Sequence, residues 1–279
     1  MALGDAFGES FFTAHAERAV AGRVLSPPVW RWTDDTAMAL SVVEVLRAHG
    51  RVDQDALAAA FARGYDPSRG YGASMHRVLR DVGAGRPWAE VTREAFGGLG
   101  SYGNGAAMRV APLGAWFAGD ADTAAAEAAR SAAVTHAHPE AAAGAVAVAV
   151  AASLLAASRG SDPPPALLDE VADRTPPGDV ADRLRRADRL RSAEPAHAAA
   201  VLGNGSELSA RDTVPFALWS AATSPDDLAE CLWRTVSALG DRDTTCAIAG
   251  GVVAARTGLA GVPAEWLARA EPLPAWARG

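Results

Sequence analysis

The sequence predicts an all-α fold, a compact single-domain helical bundle spanning residues 1–279. Three observations carry that expectation. Apolar residues recur at helical spacing along most of the chain, alternating strand patterns are nearly absent, and glycine-rich loops separate the periodic segments. With 49% of its 279 residues apolar, the chain has ample material for one large core.

Taken in order, the chain opens on "GDAFGES", read as a glycine-rich loop in which Gly4 and Gly8 bring the backbone close to a partner. A helix follows over Thr36–His49, ended by Gly50. Further helices are expected at Gln54–Gly64, Ser74–Gly83 and Trp88–Phe96, with "SRGYGAS" and "GLGSYGNGAAM" as loops. The second half continues with Thr123–Val134, Pro139–Ser158, Ala166–Asp173 and Asp179–Arg191. After the loop "LGNGS" come Val214–Ala222, Pro225–Leu239 and Thr244–Thr257. The run Ala141–Ala157 is mostly Ala and Val, short of the ~20 strongly apolar residues of a membrane span. It reads as a helix buried on all sides. Consecutive prolines make the stretch 158–179 a surface excursion within the one domain. No repeat is visible at periods of ~20–50 residues.

Net charge is −7 and no basic block occurs. That argues against a membrane surface or a nucleic-acid groove, leaving nucleic acid open only as a modified substrate. Cys231 and Cys246 have neither metal-cluster spacing nor a disulfide framework, and the first residues carry no basic-then-apolar leader. The expected setting is the cytoplasm.

Two stretches carry the chemistry. "WTDDT" places Thr33, Asp34 and Asp35 at one helix entrance, and "GDRDTT" places Asp241, Asp243 and Thr244 at another. Asp and Thr are favoured N-caps, and acids there complement the helix dipole, so capping explains a single such residue. Each cluster holds more than one cap requires. Four carboxylates brought together repel and raise one another's pKa unless cations neutralise them. Carboxylate and hydroxyl oxygens suit Mg²⁺, Mn²⁺ or Ca²⁺, whereas zinc would want a Cys/His grouping that the sequence lacks.

"GDAFGES", "WTDDT", "RGYG", "GSYGNGAAMRVAPLG", "THAHPEA", "TVPFALW" and "GDRDTTCAIAGG" together resemble, in this order, the ADP-ribosylglycohydrolases. These are the dinitrogenase-reductase-activating-glycohydrolase-like enzymes. The resemblance spans nearly the whole chain. It implies an orthogonal helical bundle and a hydrolase of the glycosidic bond between ADP-ribose and an acceptor. It also implies two divalent cations, Mg²⁺ or Mn²⁺, held by Thr33, Asp34 and Asp35 and by Asp241, Asp243 and Thr244. Asp35 and Asp243 would then take part in catalysis.

The loop "GSYGNGAAMR" is most similar to the branch that acts on serine-linked, polymeric or O-acetyl ADP-ribose. It makes Gly100, Ser101, Tyr102, Gly103 and Asn104 candidates for the diphosphate side, where glycine lets backbone N–H groups approach. Gly70 and Gly72 resemble a second such loop before a helix N-terminus. His136 matches a position lining the ribose site, against a packing or capping role. Tyr71 and Tyr102 are candidate base-stacking rings.

One departure matters. In most relatives a catalytic glutamate follows the "GD" pair at the place that falls here on Phe12 or, with a one-residue insertion, on Thr13. Neither can act as a general base. Glu9 is the nearest acid and the candidate replacement, with Glu17 more remote. Two further readings stay open: an ADP-ribose-binding module with weak or no hydrolysis, and a hydrolase of a small nucleotide-derived metabolite. The expected partner is ADP-ribose, free or attached to a protein or small molecule.

Overall fold

The computed structural model describes residues 1–160, 166–259 and 261–277. Among these residues sixteen α-helices and four short 3-10 helices occur without a strand. The first six α-helices are α1 (Ala2–Glu9), α2 (Ala16–Ala21), α3 (Asp34–His49), α4 (Gln54–Arg63), α5 (Ala73–Gly83) and α6 (Trp88–Glu94). Next come α7 (Ala111–Trp116), α8 (Ala121–Ala133), α9 (Pro139–Ala157), α10 (Leu167–Arg174) and α11 (Asp179–Asp188). The last are α12 (Pro195–Leu202), α13 (Ala210–Thr223), α14 (Leu228–Val236), α15 (Arg242–Thr257) and α16 (Ala264–Arg269).

The core is organised around α9. Pro139 starts it, and the His138 side chain accepts from the Glu140 N–H, satisfying one of the free donors of the first turn. Its Ala and Val side chains let α7, α8, α10, α13 and α15 approach from several sides. By length and hydropathy this helix could cross a bilayer, yet 72% of its most apolar window is buried among the other helices. Composition alone does not separate those two fates; the packing does.

Several expectations change. "GDAFGES" is not a loop but most of α1, which packs lengthwise on α15. Gly4 and Gly8, one turn apart, lie so close to α15 that a Cβ would collide with the carbonyl groups of Cys246 and Arg242. The glycines that suggested a loop are there for helix-to-helix contact. α13 begins at Ala210, four residues earlier than the expected Val214, and carries Pro215 inside it. α14 begins three residues later than expected, because the Asp227 side chain caps it by accepting from the Glu230 N–H. Helices at 2–9, 16–21, 111–116, 195–202 and 264–269 were too short or too glycine- and alanine-rich to show periodicity.

The proline-rich stretch 158–179 is no excursion throughout. Residues 161–165 lie outside the described residues, but α10 buries Leu167, Leu168, Val171 and Ala172.

An aromatic cluster fixes α1 from its other side. Phe7 stacks on Trp266 at 4.7 Å and meets Phe11, Trp30 and Trp233 edge-on at 5.0–5.6 Å. Such pairs add roughly 0.5–1.5 kcal/mol each beyond their buried area. α1 is thereby held between α15 and the aromatic cluster, which matters because it carries Asp5 and Glu9 on one face.

The close contact is testable. Gly8→Ala should destabilise the fold by about 1–3 kcal/mol, the usual cost of forcing atoms into a packed interface. Denaturant unfolding showing an unchanged midpoint would mean that α1 does not need its contact with α15.

Candidate active site: two cavities meeting at a carboxylate cluster

The first turn of α3 is capped twice. Thr33 Oγ1 accepts from the Asp35 N–H at 3.3 Å. Asp5, reaching across from α1, accepts from the backbone N–H groups of Thr33 (3.0 Å) and Thr36 (3.1 Å) and from the Thr36 hydroxyl. Asp34 and Asp35 are therefore not needed as caps. At α15, Asp241 occupies the N-cap position but caps nothing, and its Oδ2 accepts from Asn104 Nδ2 at 2.6 Å. The two helix entrances, more than two hundred residues apart in sequence, touch where Thr244 Oγ1 donates to Asp35 Oδ2 at 3.4 Å.

Burial is the main cause that pushes up the carboxyl pKa values of Asp5, Asp34, Asp35 and Asp241, and neighbouring carboxylates add to it. Asp34 and Asp241 each reach about 8. Asp35 Oδ1 and Asp243 Oδ1 are buried with no hydrogen-bond partner among the described residues. Such oxygens are costly unless something else satisfies them. Among the described residues, no group of three His, Cys, Asp or Glu side chains stands ready-made around one point for a metal ion. What fits a hard cation is the donor chemistry: unsatisfied carboxylate oxygens beside the hydroxyls of Thr33 and Thr244.

A cavity of about 420 Å³ opens on one side of this cluster. Of the residues singled out from sequence, it is lined by Asp34, Asp35, Gly70, Gly72, Ser101, Tyr102, Gly103, Asn104, His136, Asp241, Asp243 and Thr244. Gly100 is a correction. It lines neither this cavity nor the one described next, and at φ +74° its missing side chain makes room for the backbone of Ala137 and His138. Tyr71 is another. It is buried against Tyr65 at 5.1 Å and belongs to the core. Phe96 and Leu208 were missed. Both are more than half exposed, both hold positive φ, and both line the cavity. The Phe96 ring lies 6.3 Å from that of Tyr102, giving the mouth an aromatic pair.

Beneath the cavity lies Arg109, fully buried with no carboxylate beside it. It donates to Gly105 O (3.2 Å), Ser131 O (2.7 Å) and Thr135 Oγ1 (2.9 Å), and its guanidinium sits 4.4 Å from the Phe61 ring centre. Thr135 Oγ1 is 2.7 Å from His136 Nδ1. Since arginine can only donate, the buried Thr135 hydroxyl keeps its own proton for Nδ1. The reverse arrangement would leave that proton unpartnered. This bonding pattern assigns His136 the neutral Nε2–H tautomer. Burial, then the Arg109 charge, holds its pKa down to about 3. His136 thus offers the cavity a fixed donor.

On the other side of the cluster, a second cavity of about 330 Å³ shares Gly70, Asp241 and Asp243 with the first. It is lined by Glu9, Phe12, Arg31, Trp32, Thr33, Ser68 and Arg69. Glu9 ends α1, one turn beyond Asp5, and burial followed by the Asp243 charge raises its pKa to about 7. Phe12 stands at the rim, 49% exposed, under the Arg242 guanidinium at 4.3 Å. Thr13 and Glu17 line neither cavity. Asp5 was missed as a functional residue. Its signal was the i,i+4 spacing to Glu9, visible only once the segment is read as a helix.

The histidine assignment is checked by imidazole ¹⁵N NMR. The folded protein should show an unprotonated His136 Nδ1 and a protonated Nε2, and Thr135→Val should abolish that preference. A protonated Nδ1 in the unsubstituted protein would overturn the assignment.

Comparison with known proteins agrees with the motifs. The ADP-ribosylglycohydrolase family description matches residues 1–278. Human ADP-ribosylhydrolase ARH3 is 31% identical over 270 residues, covering 84% of this chain and 73% of the human protein. ADP-ribosylarginine hydrolase Tri1 of Pseudomonas putida is 25% identical over 286 residues, covering 96% of this chain and 71% of its own. Among solved structures, an ADP-ribosylglycohydrolase-related protein complex is similar with a TM-score of 0.62 and 26% identity, covering 97% of this chain and 89% of that one. On a match that runs from the first residue to the last but one, the chain belongs to the ADP-ribosylglycohydrolase family.

Proposed function

We propose that this chain hydrolyses the glycosidic bond between ADP-ribose and an O-linked, serine-type acceptor, with two divalent cations at the carboxylate cluster. The observation that carries the reading is the pair of unsatisfied oxygens, Asp35 Oδ1 and Asp243 Oδ1, buried where the two cavities join. Thr33, Asp34 and Asp35 from one helix entrance and Asp241, Asp243 and Thr244 from the other would hold Mg²⁺ or Mn²⁺. When bound, the cations supply positive charge that neutralises the cluster and grips the ribose hydroxyls.

The larger cavity suits ADP-ribose in parts. The Phe96–Tyr102 pair offers faces for the base, and the amides at the start of α5 face a diphosphate beside Gly70 and Gly72. His136 donates from Nε2 to a ribose oxygen. The anomeric carbon then lies at the junction, with the acceptor in the second cavity. Bond breaking at the anomeric carbon passes through an oxocarbenium-like transition state; Glu9 takes a proton from the attacking water, whose oxygen bonds to that carbon, and returns the proton to the departing acceptor oxygen. The two cysteines, buried and unpaired, support a cytoplasmic setting.

One observation favours the alternative, an ADP-ribose-binding module that hydrolyses weakly. The resemblance places the family's glutamate at Phe12, which lines the rim, or with a one-residue insertion at Thr13, and neither is an acid. Glu9→Gln separates the readings. Turnover of a serine-linked ADP-ribosyl peptide with Mg²⁺ should fall ~10²–10⁴-fold, with ADP-ribose binding retained. An unchanged rate removes Glu9 from the mechanism. Binding without turnover in the unsubstituted protein establishes the module. Faster release from an arginine-linked substrate would overturn the acceptor preference.

Stability should report the cations. Asp34, Asp35 and Asp241 have folded-state pKa values above their ordinary ones, so the fold favours their neutral forms. That contribution is complete below the ordinary carboxylate range and is lost as pH rises through about 8. In chelator the thermal midpoint should fall between pH 5 and 8, and millimolar Mg²⁺ or Mn²⁺ should restore it most at the upper end. ADP-ribose at ~100 times its Kd adds about 2.7 kcal/mol by mass action, and its shift should shrink after chelation. Equal shifts with and without chelator would remove the cations from recognition.

A further inference from the structure

Arg31 and Arg69 line the second cavity, and Arg242 stands against its rim residue Phe12, 4.3 Å from the ring centre, without lining the cavity itself. Arg69 is fully engaged: it forks onto Glu271 at 2.8 and 2.9 Å, donates to Trp32 O, and lies 3.3 Å over the Trp32 ring. Arg31 and Arg242 are not engaged in this way. Arg31 is exposed and has no side-chain hydrogen bond or ion pair among the described residues. Arg242 donates only to backbone carbonyls, Phe11 O at 2.8 Å and Gly240 O at 3.3 Å, with no carboxylate within ion-pair distance. Trp32 Nε1–H, on the same wall, is also buried without a partner.

These groups set what an acceptor can be. A cationic acceptor would meet the Arg31 guanidinium and, at the rim, the charge of Arg242, and one face each of Phe12 and Trp32 is already taken by Arg242 and Arg69. An anionic acceptor would find unpaired charge-assisted donors instead. Three acids also line the cavity: Glu9, Asp241 and Asp243. In the reading above all three are committed, Glu9 to water and the aspartates to the cations. The volume, about 330 Å³, lies in the ~300–1,000 Å³ range of small-ligand sites.

We infer that this cavity is an acceptor subsite selective for an acceptor peptide carrying a carboxylate or phosphate beside the modified residue, with Arg31 as its specificity-determining residue and Arg242 adding positive charge at the rim from behind Phe12. The inference rests on the larger cavity being the ADP-ribose site.

The test uses peptides with one ADP-ribosylated serine flanked by glutamate, phosphoserine, alanine or arginine, assayed with Mg²⁺ for kcat/KM. The glutamate or phosphoserine peptide should exceed the arginine peptide by ~10-fold or more, as expected where like charges are opposed across an interface. The glutamate and phosphoserine arms tell a carboxylate preference from a phosphate one. Read as the ratio of the acidic to the arginine peptide within each variant, Arg31→Ala should flatten the series and Arg31→Glu should reverse it. Arg242→Gln should flatten it too, with a circular-dichroism melt to confirm folding. Equal turnover of the acidic and basic peptides by the unsubstituted protein overturns the inference and leaves the hydrolase reading standing. No turnover of any peptide, with ADP-ribose still bound, overturns the hydrolase reading and this inference with it.

Discussion

The Asp5 carboxylate ties α1 to the first turn of α3, accepting from the backbone and hydroxyl groups of Thr33 and Thr36. Because α1 also lies directly on α15 through Gly4 and Gly8, this one group fixes the two helix entrances relative to each other. An acid in this place does what a loop residue could not. It satisfies the free N–H donors of α3 from outside the helix, which leaves Asp34 and Asp35 free to face the cavity. The aromatic cluster around Phe7 packs against the other side of α1.

That rigidity has an electrostatic cost. Buried carboxylates at two N-termini repel one another, and helix dipoles of roughly half a positive charge each offset only part of the repulsion. The fold tolerates the cluster because Asn104, Thr33 and Thr244 donate hydrogen bonds to it, while Asp35 Oδ1 and Asp243 Oδ1 are left without partners. A protein selected for stability alone would not keep them so. The same logic explains Arg109. A buried cation without a counter-ion is expensive, yet its carbonyl and hydroxyl partners let it orient Thr135 and, through it, His136.

The sequence shows the long helices because their periodicity is strong, and it shows the carboxylate clusters because they exceed what capping requires. It hides α1 for a physical reason. Glycine at Gly4 and Gly8 lowers helix propensity, and only the α15 backbone lying against those positions compensates. With α1 hidden, Asp5 could not be seen to share a face with Glu9. Phe96 and Leu208 were equally invisible, since positive φ at non-glycine residues is set by tertiary contacts and leaves no local signature. Gly100 shows the opposite error: a glycine in a functional loop whose space is taken by a neighbouring backbone.

The departure at Phe12 is best understood through rigidity. α1 ends at Glu9, and Phe12 and Thr13 follow it in irregular chain. A carboxylate at either of those positions would sit beyond the helix end, free to swing. At Glu9 it is one helical turn from Asp5 on an element clamped between α15 and the aromatic cluster. If Glu9 is the catalytic acid, as proposed, its place on the helix holds it near Asp243, whose charge contributes to its raised pKa. The rim carries Phe12 beneath Arg242, an aromatic ring with a cation against it. On the proposed reading, the acid beside the cluster and the positive charge at the rim act on one and the same cavity.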